Sequence, residues 1–116
     1  MAKCDTGYFC RVCGSYVEDI TESGLYLRYV LGEVRFEELG NAPEAHIRCE
    51  PEIAQYIVDR QFGEPCQVDD PALDKRAQPA ERVRAREVRV SAAWRRLQVL
   101  IGSGRRQAGL AVAALA

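Results

Sequence analysis

The chain has 116 residues, 47% hydrophobic and 28% charged, the composition of an ordinary globular chain of one domain. Its net charge of −1 conceals an asymmetry: residues 1–74 carry 6 Lys and Arg against 15 Asp and Glu, and residues 75–116 carry 10 against 2. The opening "MAKCDTGYFC" has no apolar signal region and no stretch reaches the roughly 20 apolar residues of a membrane span, so a cytoplasmic chain is expected.

Five cysteines without an export signal predict thiols or thiolate ligands in a reducing compartment. The acidic and basic parts are expected to neutralise each other, with the basic segment lying on the acidic body; a basic arm reaching for an acidic partner is the alternative.

In chain order, residues 4–16 read as irregular structure with a tight turn around the cysteines. "ITESGLYLRYVLGEVRFEEL" then places Leu27, Val30, Leu31 and Val34 on a helical face, with Thr21 or Ser23 as its cap. The alternation of Leu25, Leu27, Tyr29 and Leu31 would also suit a strand, but it fails at Gly32-Glu33. A short second turn, "RFEEL", is expected to end at Gly40-Asn41.

"NAPEAHIRC" leads into a second helix that has Pro51 at its first position. Ile53, Ala54, Ile57 and Val58 would form its buried face, and Gly63 its stop. Three prolines in "GEPCQVDDPALDKRAQP" mark a linker. A long amphipathic helix follows over 79–101, with Val83, Val90, Trp94, Leu97 and Ile101 in one apolar stripe and Arg82, Arg86, Arg89 and Arg96 in a neighbouring one. The expected organisation is therefore a body over 1–64, a linker over 65–78, the docked helix over 79–101 and a flexible tail over 102–116. The fold class is mainly α, with a small α+β arrangement possible. A body this small usually needs a metal or disulfides.

Two fragments carry chemistry. Cys10-x-x-Cys13-Gly14 has the spacing of a zinc knuckle, in which one tight turn aims two thiolates at one ion and the glycine permits that turn. Thirty-two residues later, His46-x-x-Cys49 repeats the two-residue gap just ahead of the Pro51 helix, whose N-terminus favours a thiolate. Together they make a tetrahedral Cys3His set, with Cys4 as substitute candidate and Cys66 a weaker one. Zinc is the expected ion. The same residues admit an iron–sulfur cluster, a Cys10–Cys13 redox pair, or buried cysteines with no metal at all.

On "CRVCG" and "HIRCEPEIAQYIVD", residues 10–62 resemble the small bacterial zinc-finger proteins of treble-clef or zinc-ribbon type. The resemblance implies Cys10, Cys13, His46 and Cys49 as ligands. It also implies a hairpin after the knuckle, from which this chain departs, because the intervening residues read as helical.

A structural site is expected. Four protein donors leave no open position for water, and neither His-Glu-x-x-His nor the zinc-deaminase pattern occurs. With His46 given to metal, no histidine remains to activate a nucleophile. Glu44 and Glu50 beside the second pair read as solvated charges, and Tyr8, Phe9 and Tyr16 as packing for a minimal core. The expectation is a small non-enzymatic zinc module, interacting with a protein partner or with itself through Val90, Trp94, Leu97 and Ile101. Nucleic-acid binding through Arg82, Arg86, Arg89 and Arg96 is the alternative.

Overall fold

The computed structural model describes residues 8–64 and 66–99. Cys4, Ile101 and the expected tail over 102–116 lie outside the described residues.

The chain opens on a two-stranded antiparallel hairpin, β1 (Tyr8–Phe9) and β2 (Tyr16–Val17), in which Tyr8 faces Val17 and Phe9 faces Tyr16. The knuckle is its connecting loop. Cys10 N–H donates to Ser15 O at 2.8 Å and Gly14 N–H to Cys10 O at 2.9 Å, with Gly14 at φ +78°, a conformation that costs glycine little. The expected irregular segment therefore carries strand pairing, too short for sequence alternation to register.

A 3₁₀ turn (Ile20–Glu22), capped by the Asp19 carboxylate, leads into α1 (Gly24–Val30). Ser23 is the N-cap of α1: its hydroxyl accepts from Tyr26 N–H at 3.0 Å. The helix stops at Val30, short of the expected Val34, because the chain turns at Gly32 (φ +85°), where Glu33 N–H closes onto Arg28 O at 2.8 Å. Val34 still packs on the core from the loop, and the expected "RFEEL" turn forms as 3₁₀ structure over Phe36–Glu38.

Another 3₁₀ turn (Ile47–Cys49) precedes α2 (Pro51–Ala54), with proline at its start as expected. The second helix is shorter than its sequence suggests. Beyond Ala54 the backbone turns toward the last helix, where Ser91 Oγ donates to Tyr56 O at 3.2 Å and accepts from Val58 N–H at 2.8 Å. Ile53, Ala54 and Ile57 are buried, but Val58 is 52% exposed because the helix has already ended.

Residues 66–78 run along the body instead of hanging free. Gln55 holds them: its Nε2 donates to Leu73 O at 2.8 Å, and its Oε1 accepts from Lys75 N–H at 2.9 Å. The last helix, α3 (Ala80–Gln98), follows Pro79 and lies against α1 and the Ile20–Glu22 turn. Val90, Ala93, Trp94 and Leu97 enter one core with Leu25, Leu27, Ile53, Ile57 and Phe62, and the Trp94 and Phe62 rings meet edge to face at 5.5 Å. Arg86 pairs with Glu33 at 2.8 Å and Arg95 with Asp59 at 3.2 Å, so α3 spends part of its positive charge on the acidic body.

The fold is mainly α. Among the described residues no helix is long and apolar enough to cross a membrane.

Candidate metal centre

The hairpin loop supplies Cys10 and Cys13, and the turn ahead of α2 supplies His46 and Cys49. Arg11 N–H donates to Glu44 O at 2.9 Å and joins these two pieces, and an isolated β bridge of Ser23 with His46, in which Gly24 N–H donates to Ala45 O at 2.8 Å, holds the second piece to the start of α1. The ligand atoms of Cys10, Cys13, His46 and Cys49 then lie within 4.8 Å of one another. Cys13 Sγ is 3.4 Å and Cys49 Sγ 3.8 Å from His46 Nδ1. Ligands about 2.0–2.3 Å from a tetrahedral zinc stand roughly 3.5–3.8 Å apart, which the two sulfur-to-Nδ1 separations match, and the cluster's limit of 4.8 Å is wider than that spacing.

The tautomer of His46 is determined by its other nitrogen. Nε2 lies 3.1 Å from the Tyr16 carbonyl oxygen, which can only accept, so Nε2 carries a proton, and in the neutral ring Nδ1 is left to present its lone pair to the sulfurs. Cys10, the buried member, receives backbone N–H groups from Val12 (3.4 Å), Cys13 (3.5 Å) and His46 (3.4 Å). Two come from the knuckle and one reaches across from the second pair.

The electrostatics of the metal-free cluster are divided. Burial opposes ionisation of Cys10, but the N–H groups of Cys13, His46 and Val12 outweigh it and bring the thiol down to about 6. The Ser15 backbone lowers Cys13. Cys49 is pushed up to about 12 by burial and by the neighbouring Cys13 and Cys10 sulfurs. For His46, burial works against the charged ring, and the hydrogen bonds with Cys10 and the Tyr16 carbonyl outweigh it and raise the pKa. Three thiols share a space in which all of them ionise readily only around a cation. A set of three sulfurs and one imidazole suits zinc or iron and disfavours magnesium or calcium.

Glu44 and Glu50 are not solvated charges. Glu44 is buried; its Oε2 accepts from Ser23 Oγ at 2.6 Å and its Oε1 from Leu25 N–H at 3.1 Å and Ala45 N–H at 2.9 Å, which places negative charge at the start of α1. Glu50 is 0% exposed and forms ion pairs with Arg11, inside the knuckle, and with Arg28 Nη1 at 2.8 Å on α1. Of the carboxylates that flank the second pair, Glu50 thus joins the two halves of the site, and Glu44 holds the second half to the start of α1. Glu50 follows Cys49 directly and Arg11 sits between the first two cysteines, but nothing in the sequence singles out Arg28 as their third member.

The remaining expected site residues separate. Cys66 packs at the edge of the main core, outside the four-residue cluster. Val90, Trp94 and Leu97 are buried within the domain, so they do not form an open face for a partner; α3 uses its apolar stripe to close its own core. The arginine row is broken as well. Arg86 pairs with Glu33, and Arg89 reaches Leu31 O at 3.5 Å but is exposed like Arg82 and Arg96. Phe9 and Tyr16, expected as packing, stand on the hairpin surface with Phe9 69% exposed.

Comparison with protein-family models, with curated proteins and with solved structures finds no match for this chain, and the reading of the site rests on its geometry.

Proposed function

We propose that the protein is a small zinc-binding module in which Cys10, Cys13, His46 and Cys49 hold one structural ion, and that its task is binding and not catalysis. One observation carries the reading: three sulfurs and a correctly tautomerised imidazole converge from fragments 32 residues apart. Four protein donors fill the coordination of zinc. The adjacent carboxylates of Glu44 and Glu50 are engaged in the fold, which leaves neither placed to serve as a base. This agrees with the zinc-finger resemblance of residues 10–62, and a cytoplasmic setting would keep the thiols reduced.

A structural zinc contributes roughly 10 kcal/mol or more of apparent binding energy, enough to decide whether so small a body folds. The metal would join the hairpin to the turn ahead of α2. The surface best suited to a protein partner is then the hairpin it holds, where Phe9, Val12 and Tyr16 are exposed and the Phe9 and Tyr16 rings meet edge to face at 5.5 Å.

Chelation tests the structural role. Removing metal should collapse the dispersed amide resonances of residues 8–62 in a heteronuclear NMR spectrum, and adding zinc should restore them. An unchanged spectrum in strong chelator, from protein shown to have lost its metal, would overturn the reading.

A thiol redox role is the second reading, favoured by the low pKa of Cys10. Its burial works against attack, and Cys13 is the exposed partner. Alkylation separates the two: a metal centre protects the thiols until chelator is added, whereas a redox pair reacts at the same rate with or without it.

A further inference from the structure

A cavity of about 330 Å³ adjoins the metal centre. Its volume is at the lower end of the range for small-molecule sites. Its apolar surface comes from Ile47, Phe62 and Trp94, which the core holds rigidly. His46 and Cys49 contribute another wall, so the turn that bears two metal ligands also shapes the cavity. A further side is closed where Gln98 Nε2, on α3, donates to Thr21 O at 3.1 Å.

The charged lining residues are Glu22 and Arg48, opposite in sign, and among the described residues no ion pair joins them or neutralises either one. Arg48 is anchored: its guanidinium carbon lies 3.9 Å from the centre of the Phe62 ring, and Nη2 donates to Phe62 O at 2.5 Å. A guanidinium has five N–H donors, so this anchoring leaves donors free for an anionic group. Glu22 is exposed and supplies an acceptor for a cationic one.

We propose that this cavity binds a small zwitterion with an apolar body, the chemistry of a free aromatic or aliphatic α-amino acid. The carboxylate of the ligand pairs with Arg48, its ammonium with Glu22, and its side chain covers Phe62, Trp94 and Ile47. Both charged side chains are solvent-exposed at the cavity's rim, so they select by complementarity and not by a burial penalty: a zwitterion engages both, and a ligand of single charge engages only one. The inference goes beyond the metal reading, since every contact it names is made by protein side chains.

The chain has one tryptophan, and it lines this cavity, so its fluorescence reports occupancy directly. The test titrates L-phenylalanine into full-length zinc-treated protein, with metal content measured on the same sample. Parallel titrations use 2-phenylethylamine and 3-phenylpropanoate, which each keep one charge. The expected result is a saturable change with L-phenylalanine. Each single-charge analogue should bind about three- to tenfold more weakly, as should the amino acid to Glu22→Gln and Arg48→Gln. Three results would overturn the proposal: no saturable change up to about 10 mM in folded protein, an analogue that binds as tightly as the amino acid, or undiminished binding to Glu22→Gln. The last does not depend on Arg48, whose replacement also removes a contact to Phe62. Absence of metal in the sample counts against the zinc reading alone, and the titration still decides on the cavity.

Discussion

Nε2 of His46 donates to the carbonyl of Tyr16 at 3.1 Å, which ties a residue of the second ligand pair to the strand that leaves the knuckle. A single hydrogen bond thereby sets the tautomer, orients the ring and links the two fragments before any ion is considered. The proton balance of metal uptake then includes Nδ1 of this ring, whose pKa is raised, as well as the thiols.

That balance has a definite sign. At pH 7 the metal-free protein keeps the proton on Cys49, raised to about 12, and has largely lost the one on Cys10, lowered to about 6. Zinc must displace the Cys49 proton, so its apparent affinity should rise with pH and fall as acid is added, more steeply below about 6 where Cys10 is protonated too. Calorimetry in buffers of different ionisation enthalpy should detect at least one proton released per zinc at pH 7. Uptake with no proton release would contradict this ordering.

Arg28→Met should destabilise the zinc-loaded protein. Glu50 is fully buried between Arg28 and Arg11, and losing Arg28 leaves a buried carboxylate with one partner that is itself half exposed. Breaking buried pairs costs about 3–5 kcal/mol, and partial exposure of both arginines reduces the expected loss to about 2 kcal/mol. Urea unfolding of the metal-loaded variant measures it, and an unchanged midpoint would show that Arg11 alone suffices.

Gly24→Ala tests how closely α1 approaches the ligand-bearing turn. A Cβ at Gly24 would stand 2.6 Å from Glu50 Oε1 and 3.0 Å from the Ala45 carbonyl oxygen. The backbone of Ala45 cannot yield as a flexible side chain would. A loss of about 1–3 kcal/mol is expected despite alanine's better helix propensity, measurable as a lower thermal midpoint.

Leu97→Ala should cost about 2–5 kcal/mol, because Leu97 is fully buried where α3 meets the core. A surface contact awaiting a partner would change stability by no more than about 0.5 kcal/mol. Chemical denaturation distinguishes the two, and the small value would return the apolar stripe of α3 to the role of a docking face.

The clustering of Cys10, Cys13, His46 and Cys49 was legible because its signal is local: each pair has a two-residue gap, one with a glycine and one with a proline behind it. Ser23 as a cap and the period of α3 were legible for the same reason. The clamp was hidden, since Arg11, Arg28 and Glu50 meet only after folding, and an acidic residue beside a ligand reads as a surface charge until its partners are placed. The early stop of α2 was hidden too. Ser91, on another helix, takes the hydrogen bonds that would otherwise extend it. A stripe such as Val90, Trp94 and Leu97 looks the same in sequence whether it meets its own domain or another chain.

Metal content per chain tests the central claim most directly. Elemental analysis of protein purified without added metal should find one zinc per wild-type chain and a large loss in both Cys13→Ser and His46→Ala, each drawn from a different fragment. Metal-free wild-type protein that is nonetheless folded, or full zinc in both variants, would contradict a shared centre.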